Sequence, residues 1–441
     1  MICEYDFVDQ DFNLAPFVNK FEDIAEHAFT IAESIKRKNK NNLHISRLYF
    51  FLGEGYRDTY DYDNAISCYS RSAEIDEKKN DRDELFITYN NLGLSYLKKG
   101  MADKARDLFS KSLNMILEEG LQTDLADVYN NLATANEQLG EMKAARELYL
   151  KAIDICEMVL GEGSIESATY YNNLASLSCD ECRYAEAETL LLKALCIRKE
   201  ILGDDAPDTL NVYNNIAILQ SKLAQYDSAL EIHQKILRIV NTTYGSQSED
   251  YAIALGNIAS VFIEQGKNEE ALDYYFQAVD IKVGLFGDDY FELATLYNNI
   301  SAAYGSLCNY LEAEKYALKS LNIRKKVLGE FHPLTLLSRE NYATIFSDKG
   351  DYRRALQLFQ ESQKYIIDFW GINHESVANS YCNIGVAYHR QGDFDTAKLN
   401  YEKALDIYER LYGNKHPDTI RIYNKISALH YDCANSDDAR P

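Results

Sequence analysis

One tyrosine-centred motif returns along this chain at a nearly fixed interval, and its clearest copy is Tyr171-Asn172-Asn173-Leu174-Ala175. With the tyrosine as position 0, the interval is 40 residues twice and then 42 residues seven times. A unit of this length cannot bury its apolar surface alone, so successive copies must stack. The period predicts a repeat array, with position 0 at Tyr49, Tyr89, Tyr129, Tyr171, Tyr213, Leu255, Tyr297, Arg339, Tyr381 and Tyr423.

Each repeat carries the pattern of two helices. Positions 0, +3, +4 and +7 hold a tyrosine, an aliphatic, a small and often an aromatic residue, which is the spacing of one helical face. Glycine is common at +11 and predicts a turn there. Alanine then stands at +16 in all nine full repeats, from Ala65 to Ala397. The small residues at +4 and +16 predict a close crossing between the two helices.

The boundaries of the array follow from the same columns. Residues 1–42 are predicted to be an irregular lead-in with one N-terminal cap helix at 17–38, residues 43–433 the array, and 434–441 a polar tail. From Tyr129 onward, an apolar residue and a glycine at +31 and +32 are predicted to end each second helix. Repeats 1 and 2 lack this linker. Prolines are predicted to begin three of the first helices: Pro207, Pro333 and Pro417.

At these columns the sequence resembles the tetratricopeptide repeat. The 42-residue form, with its Tyr-Asn-Asn-Leu-Ala motif and linkers such as Leu328-Gly329-Glu330-Phe331-His332-Pro333, is similar to the repeats of kinesin light chains and their bacterial relatives. The resemblance covers residues 43–433. It implies an all-α fold, an α-solenoid wound as a right-handed superhelix of about nine helix pairs with a single cap helix at each end.

One column of the repeat is a candidate binding site. Asparagine is a mediocre helix former, and position +2 lies off the packing face, so packing does not require it. The resemblance places this column on the concave groove, where matching asparagines of kinesin light chains contact the backbone of cargo peptides. It implicates Asn173, Asn215, Asn257 and Asn299 first. The full column is Asn91, Asn131, Asn173, Asn215, Asn257, Asn299, Asn341 and Asn383.

Two questions about these amides stay open in the sequence. The +2 asparagines either bind a ligand or tie adjacent repeats together, and the asparagines at +1 are expected to be structural. The other columns expected to face the groove are −2, +1, +5, +8 and +9, and they include Ile253, Ile218 and Lys222. Basic residues of these columns lie toward both ends of the array and apolar ones near its middle, which predicts a ligand with apolar anchors. The lysine and asparagine pairing that clamps chaperone C-termini is missing, which disfavours that partner.

Other motifs favour structural roles. Cys179 and Cys182 form a Cys-x-x-Cys pair with no second pair nearby, so free thiols are expected. Cys182 and Cys308 stand at +11, in place of the turn glycine. The histidines at +35 are expected to cap helices, because adjacent repeats lie too far apart for one metal to gather them: His332, His374 and His416. Trp370 belongs to an apolar packing column. No cofactor or metal is expected.

Composition limits the partners. The net charge is −23, which argues against nucleic acid and anionic membranes. Nine irregularly spaced cysteines suit a reducing compartment. The N-terminus does not have the layout of a signal peptide, and no apolar run could span a bilayer, so a cytoplasmic location is predicted. No catalytic motif stands out, which favours a protein that is not an enzyme.

The sequence therefore favours a protein–protein interaction adaptor that binds another protein or an extended peptide in the concave groove through the asparagine column. Two alternatives remain. The first is a peptide-sensing regulator whose superhelix changes shape on binding a signalling peptide. The second is an architectural subunit bound through its convex face or its ends. The sequence indicates no particular oligomeric state.

Overall fold

The computed structural model describes residues 43–59, 61–79, 82, 84–120, 122–414 and 416–438. The cap helix predicted at 17–38 lies outside them. The described residues form nineteen α-helices and contain no strand. These are α1 (Leu43–Asp58), α2 (Tyr62–Lys79), α3 (Leu85–Lys98), α4 (Ala102–Glu119), α5 (Gln122–Gln138), α6 (Met142–Leu160), α7 (Ile165–Asp180), α8 (Tyr184–Leu202), α9 (Pro207–Lys222), α10 (Tyr226–Thr243), α11 (Glu249–Glu264), α12 (Asn268–Phe286), α13 (Leu293–Ser306), α14 (Tyr310–Leu328), α15 (Pro333–Asp348), α16 (Tyr352–Trp370), α17 (Glu375–Gln391), α18 (Phe394–Tyr412) and α19 (Pro417–Asp438).

The helices follow the predicted order of nine pairs and one final helix. The chain divides into two compact units. Unit 1 contains the described residues up to Leu177 together with Leu192–Asn211, and unit 2 contains Ser178–Leu191 and the residues from Val212 onward. Within each unit, consecutive helices pack on one another, and first helices of adjacent repeats also touch, as α3 and α5 do in unit 1 and α11 and α13 in unit 2. This is the packing of an α-solenoid, as the repeat period predicts.

The two helices of a pair cross where both carry small side chains. The alanine at +16 is completely buried in all nine repeats. Opposite it, position +4 is glycine or another small residue. Where it is glycine, at Gly53, Gly93 and Gly385, the aromatic ring at +20 lies against it. A Cβ atom placed on Gly93 would stand only 2.5 Å from a ring carbon of Phe109. The close crossing predicted from the sequence is therefore confirmed.

The turn between paired helices requires a left-handed backbone. Glycine supplies it at +11 in five repeats, for example Gly266 with φ of +75°. Cys182 and Cys308 occupy the same position with φ of 59° and 58°, and so does Ala224 with φ of 58°. These residues stand in the strained left-handed region, which supports the prediction that the two cysteines replace a turn glycine.

The linkers differ from the prediction at one point. The glycine at +32 ends the second helix from Gly161 to Gly413, each with positive φ, and the three prolines begin α9, α15 and α19 as predicted. Repeat 2, however, does have a glycine that ends its second helix. Gly120 ends α4 in the left-handed conformation, with its N–H bonded to the carbonyl of Ile116. It stands at +31, one position early, because this repeat is shorter.

The last helix is also longer than predicted. The predicted array ends at 433 and is followed by a polar tail, but α19 continues to Asp438. Neither glycine nor proline occurs between Leu429 and Asp438, so nothing in the local sequence stops the helix.

A second column explains why tyrosine recurs at position 0. The lysine at +22 on the second helix lies over the tyrosine ring of its own repeat, at 3.9 Å from the ring centre for Lys235 over Tyr213. The same contact occurs in five other repeats. Where Leu255 and Arg339 replace the tyrosine, Gln277 and Glu361 replace the lysine. The two columns therefore form a cation–π pair.

The glycines of the first helices provide a stability test. Gly93→Ala should destabilise the fold by about 1–3 kcal/mol, because the new methyl group overlaps the buried Phe109 ring. Gly256→Ala is the matched control, since its Cβ would meet only Leu296, at an ordinary 3.6 Å. It should stabilise the helix by about 0.5–1 kcal/mol. Urea unfolding monitored by circular dichroism measures both, and equal shifts would contradict the crossing geometry.

Candidate functional site: a ladder of asparagines

The asparagines at +2 lie next to position +1 of the preceding repeat. The Nδ2 group of Asn131 donates to Oδ1 of Asn90 at 3.0 Å. Asn173 donates to Asn130 at 2.9 Å in the same way. In unit 2, Asn257 donates to Asn214 at 3.2 Å. We call this series of amide pairs the asparagine ladder. Each of these bonds connects two repeats, so the ladder has a structural role at these steps.

At two further steps a carboxylate accepts the bond. Asn91 donates to Glu54 at 3.0 Å, because position +1 of repeat 1 is the apolar Phe50. Asn383 donates to Glu340 at 3.3 Å, since glutamate replaces asparagine at +1 of repeat 8. The +2 amide is thus the donor at every step where a bond is described. The +1 position supplies the acceptor at four of these five steps.

The ladder bond uses only part of each +2 side chain. A carboxamide has two N–H donors and one acceptor oxygen, and the bond engages one donor. Asn257 shows which group remains unused, because its Oδ1 is buried and receives no hydrogen bond from the described residues. A row of half-engaged carboxamides can donate to and accept from a further polar chain while it holds the repeats together.

Two successive steps of the ladder lack the bond. Asn299 follows repeat 6, where +1 is Gly256 and offers no side-chain acceptor. At the next step, Asn298 turns its Nδ2 to the hydroxyl of Ser338 at 3.1 Å. Asn341, the +2 residue of that step, is exposed. Within the described part of the chain, neither Asn299 nor Asn341 makes a side-chain hydrogen bond. We call these two steps the ladder gap.

The other predicted site residues flank the ladder. Lys222 stands at +9, where its Nζ lies 3.6 Å from Oδ1 of Asp180 at +9 of the preceding repeat. Arg390 pairs with Asp348 in the same column. The +9 side chains therefore form ion pairs between repeats within unit 2. Ile218 and Ile253 are half-buried, so each keeps some apolar surface accessible.

Glu340 has an unusual environment. Its side chain is only 4% exposed, and this burial raises its pKa to about 7, against the opposing effect of Ser380 and Asn383. The sequence places Glu340 in a groove-facing column, but only the packing around it shows that the carboxyl is buried. A buried carboxyl stays protonated to higher pH because the charged form loses hydration.

The column at +27, where arginines bond to the start of the next first helix, was not identified in the sequence analysis. Arg198, at +27, donates to the carbonyl of Asp208 at 2.6 Å and to the hydroxyl of Thr169 at 3.1 Å. Arg324 likewise donates to the carbonyl of Leu334, the second residue of α15, at 3.0 Å and to the hydroxyl of Thr295 at 3.1 Å. Both arginines are almost fully buried. A basic residue recurring at +27 was the signal available in the sequence.

The histidines at +35 cap helices, as predicted. The Nδ1 atoms of His332, His374 and His416 accept the N–H two residues on, at 3.2, 3.1 and 3.3 Å. Trp370 stacks on His374 with ring centres 4.1 Å apart and packs on the core of its repeat, which confirms its packing role.

The cysteines show no metal-binding geometry. No group of three or more metal-binding side chains occurs among the residues the structure describes. Cys179 is buried, and burial raises the pKa of its thiol to about 11, which disfavours the thiolate that metals require. Within unit 2, Cys182 lies 3.7 Å from Nε2 of His416. That nitrogen is also 3.0 Å from the carbonyl oxygen of Asp180.

Comparison with known proteins agrees with the geometry. The tetratricopeptide repeat family matches residues 44–118, 124–181, 166–242, 221–282, 292–365 and 371–441. These matches cover most of the chain, which therefore belongs to the tetratricopeptide repeat family. In the described part of the chain, no helix combines the length and the apolar character needed to cross a bilayer.

Individual relatives are distant. A Rap protein complexed with competence and sporulation factor is 16% identical, with a TM-score of 0.53, over 83% of this chain and 98% of that one. A putative kinesin light chain from Podosopora anserina with nearly identical repeats is 19% identical, with a TM-score of 0.39, over 46% and 95%. At such identities the Rap structure shows the shared fold alone.

One curated relative matches a short stretch. The clustered mitochondria protein homolog of Kluyveromyces lactis is 32% identical over 77 residues. The match covers 18% of this chain and 6% of that protein, so the chain spans a small part of its length.

The buried carboxyl of Glu340 predicts a pH effect on stability. Its folded pKa of about 7 lies above the ordinary 4.5, so its stabilising contribution is full below pH 4.5 and is lost as pH rises through 7. Relative to Glu340→Gln, the wild type should lose about 2 kcal/mol of unfolding free energy between pH 5 and pH 8. Chemical unfolding at both pH values measures this. The exposed Glu188→Gln is the control, and its stability should change with pH as that of the wild type does. If the stability of Glu340→Gln also changes as in the wild type, the carboxyl of Glu340 is not buried in solution.

Proposed function

We propose that this protein is a non-enzymatic adaptor that binds an extended segment of another protein along the asparagine ladder in its concave groove. The observation that supports this most directly is the half-engaged state of the +2 carboxamides. Repeat arrays of this family typically serve as scaffolds for protein or peptide partners, and their first helices line the inner face. The ladder would supply backbone recognition, and neighbouring side chains would supply specificity.

The spacing of the ladder suits an extended chain. Packed helices stand roughly 8–10 Å apart, so successive rungs repeat at about that distance. An extended peptide rises about 3.3 Å per residue, so one rung corresponds to about every third residue. Because a carboxamide both donates and accepts, each rung can pair with either an N–H or a carbonyl of the bound backbone. Such pairing depends little on the sequence of the partner.

Side chains beside the ladder would select among partners. Ile218 and Ile253 offer apolar contacts near the middle of the array, and Lys222 adds a cation that is already paired with Asp180. We therefore expect apolar anchors in the bound segment, as the sequence predicts.

The test separates ladder binding from ladder structure. Peptides are selected from a random dodecapeptide phage library on the wild type, and their dissociation constants are measured by fluorescence anisotropy. The triple variant Asn173→Ala, Asn215→Ala, Asn257→Ala should weaken binding at least tenfold, because each lost hydrogen bond is worth about 0.5–1.5 kcal/mol.

The matched control changes the +1 asparagines of the same steps: Asn130→Ala, Asn172→Ala and Asn214→Ala. It removes acceptors of the ladder bonds and keeps the +2 carboxamides, so we expect a similar loss of stability with a smaller loss of affinity. If both triples bind as the wild type and the peptide cross-links to second helices, binding lies on the convex face and the architectural alternative replaces the adaptor.

A peptide-sensing regulator is the second candidate. Its support is the contact of His416 with the carbonyl of Asp180, which lie 236 positions apart in the sequence and both belong to unit 2. A change in curvature on binding would break or tighten such a contact. Because Nδ1 of His416 accepts the Asp418 N–H, its Nε2 carries the proton donated to Asp180.

Small-angle scattering distinguishes the two candidates. For an adaptor we expect the radius of gyration to stay unchanged when the selected peptide is added at saturation. A decrease in the wild type that is absent in His416→Ala would establish the regulator. The control is Asn322→Ala, an exposed position on α14, which should behave as the wild type in either case.

A further inference from the structure

The ladder gap is not required by the packing of the helices. Gly256 stands inside α11, where glycine weakens a helix. A Cβ atom at this position would meet only Leu296, at 3.6 Å, so there is room for a methyl group. By contrast, the glycines at Gly53, Gly93 and Gly385 lie against aromatic rings and leave no room. Close packing therefore does not explain why position 256 is glycine. The consequence of this glycine is that Asn299 has no side-chain acceptor.

The second step of the gap leaves a buried acceptor without a donor. Asn298 is 9% exposed, and its Nδ2 is committed to Ser338, whose hydroxyl lies 2.9 Å from that of Ser320. Its Oδ1 receives no hydrogen bond from any described residue. A buried oxygen in this state is unfavourable until a donor reaches it. At the equivalent position of complete steps, the +2 asparagine of the next repeat supplies that donor, but Asn341 is turned out to solvent.

The charges around the gap are largely balanced. In repeats 6 to 8, the columns expected to face the groove contain Glu264, Glu340 and Asp348. Arg390 pairs with Asp348, and Lys222, which pairs with Asp180, also acts on Glu264. Glu340 is buried. This part of the array therefore favours uncharged side chains in a partner.

We propose that the ladder gap, formed by Asn298, Asn299 and Asn341, is the principal contact site for an extended polypeptide segment with uncharged side chains. This inference rests on the proposed function and specifies which rungs carry it. A backbone N–H of the segment donates to Asn298 Oδ1. The carboxamides of Asn299 and Asn341 pair with the backbone on either side. The complete steps hold the repeats together, and each of them contributes less to binding than a step of the gap.

The test uses the full chain and a fluorescein-labelled peptide selected on the wild type from a random dodecapeptide library. Asn299→Ala combined with Asn341→Ala should leave the urea midpoint unchanged, because neither side chain bonds to the described residues, and should weaken binding at least tenfold. The matched control, Asn90→Ala with Asn130→Ala, removes the acceptors of two complete steps and keeps their +2 carboxamides. It should lower the urea midpoint and change the dissociation constant less than threefold.

A third variant fills the gap. Gly256→Asn supplies the missing acceptor for Asn299 and replaces glycine with a better helix former. It should therefore raise the urea midpoint and weaken peptide binding at least threefold. Improved stability together with weakened binding is an outcome that a purely structural ladder does not produce.

Each other result has a definite meaning. If the wild type selects no peptide, the proposed function fails and this inference fails with it. If the wild type binds a peptide and the gap variants bind it equally well, the adaptor function stands but the gap is not its main contact site, whatever the Asn90 and Asn130 control does.

Discussion

The fold depends on the close approach of two helices at small side chains. The alanine at +16 is fully buried in every full repeat, and the residue opposite it on the first helix is small. Where that residue is glycine, an aromatic ring covers it. Close packing of this kind fixes the distance and angle between paired helices within narrow limits. Since every repeat crosses in the same way, the first helices of adjacent repeats come into contact, and the +1 and +2 columns can meet.

The asparagine ladder is a consequence of that regular approach. Where a first helix carries two neighbouring asparagines in complete steps, they divide their roles, because +1 accepts from the next repeat and +2 donates to the previous one. A single dipeptide can therefore join repeats and still present unused hydrogen-bonding groups. The departures from the motif are informative for the same reason. Gly256 removes one acceptor and Glu340 replaces another, whereas Asn298 keeps the residue type but turns to Ser338.

Charge is arranged with the same regularity. The lysines at +22 lie over tyrosines, the arginines at +27 are buried against carbonyls at the start of the next first helix, and the +9 column alternates in sign between several repeats. Many cations are therefore already committed to contacts between or within repeats.

The sequence by itself determined the period, the helix pairs, the turns and the caps. Each of these depends on residues within a few positions of one another, such as a glycine at +11 or a histidine at +35, and local geometry decides them. Only the tertiary structure decided which asparagine bonds to which, that Glu340 is buried, and that Arg198 secures a linker. These contacts join residues about ten to forty positions apart, and a shift of an ångström between helices makes or breaks a hydrogen bond. The residue types were visible in the sequence, but the distances between them were set by packing.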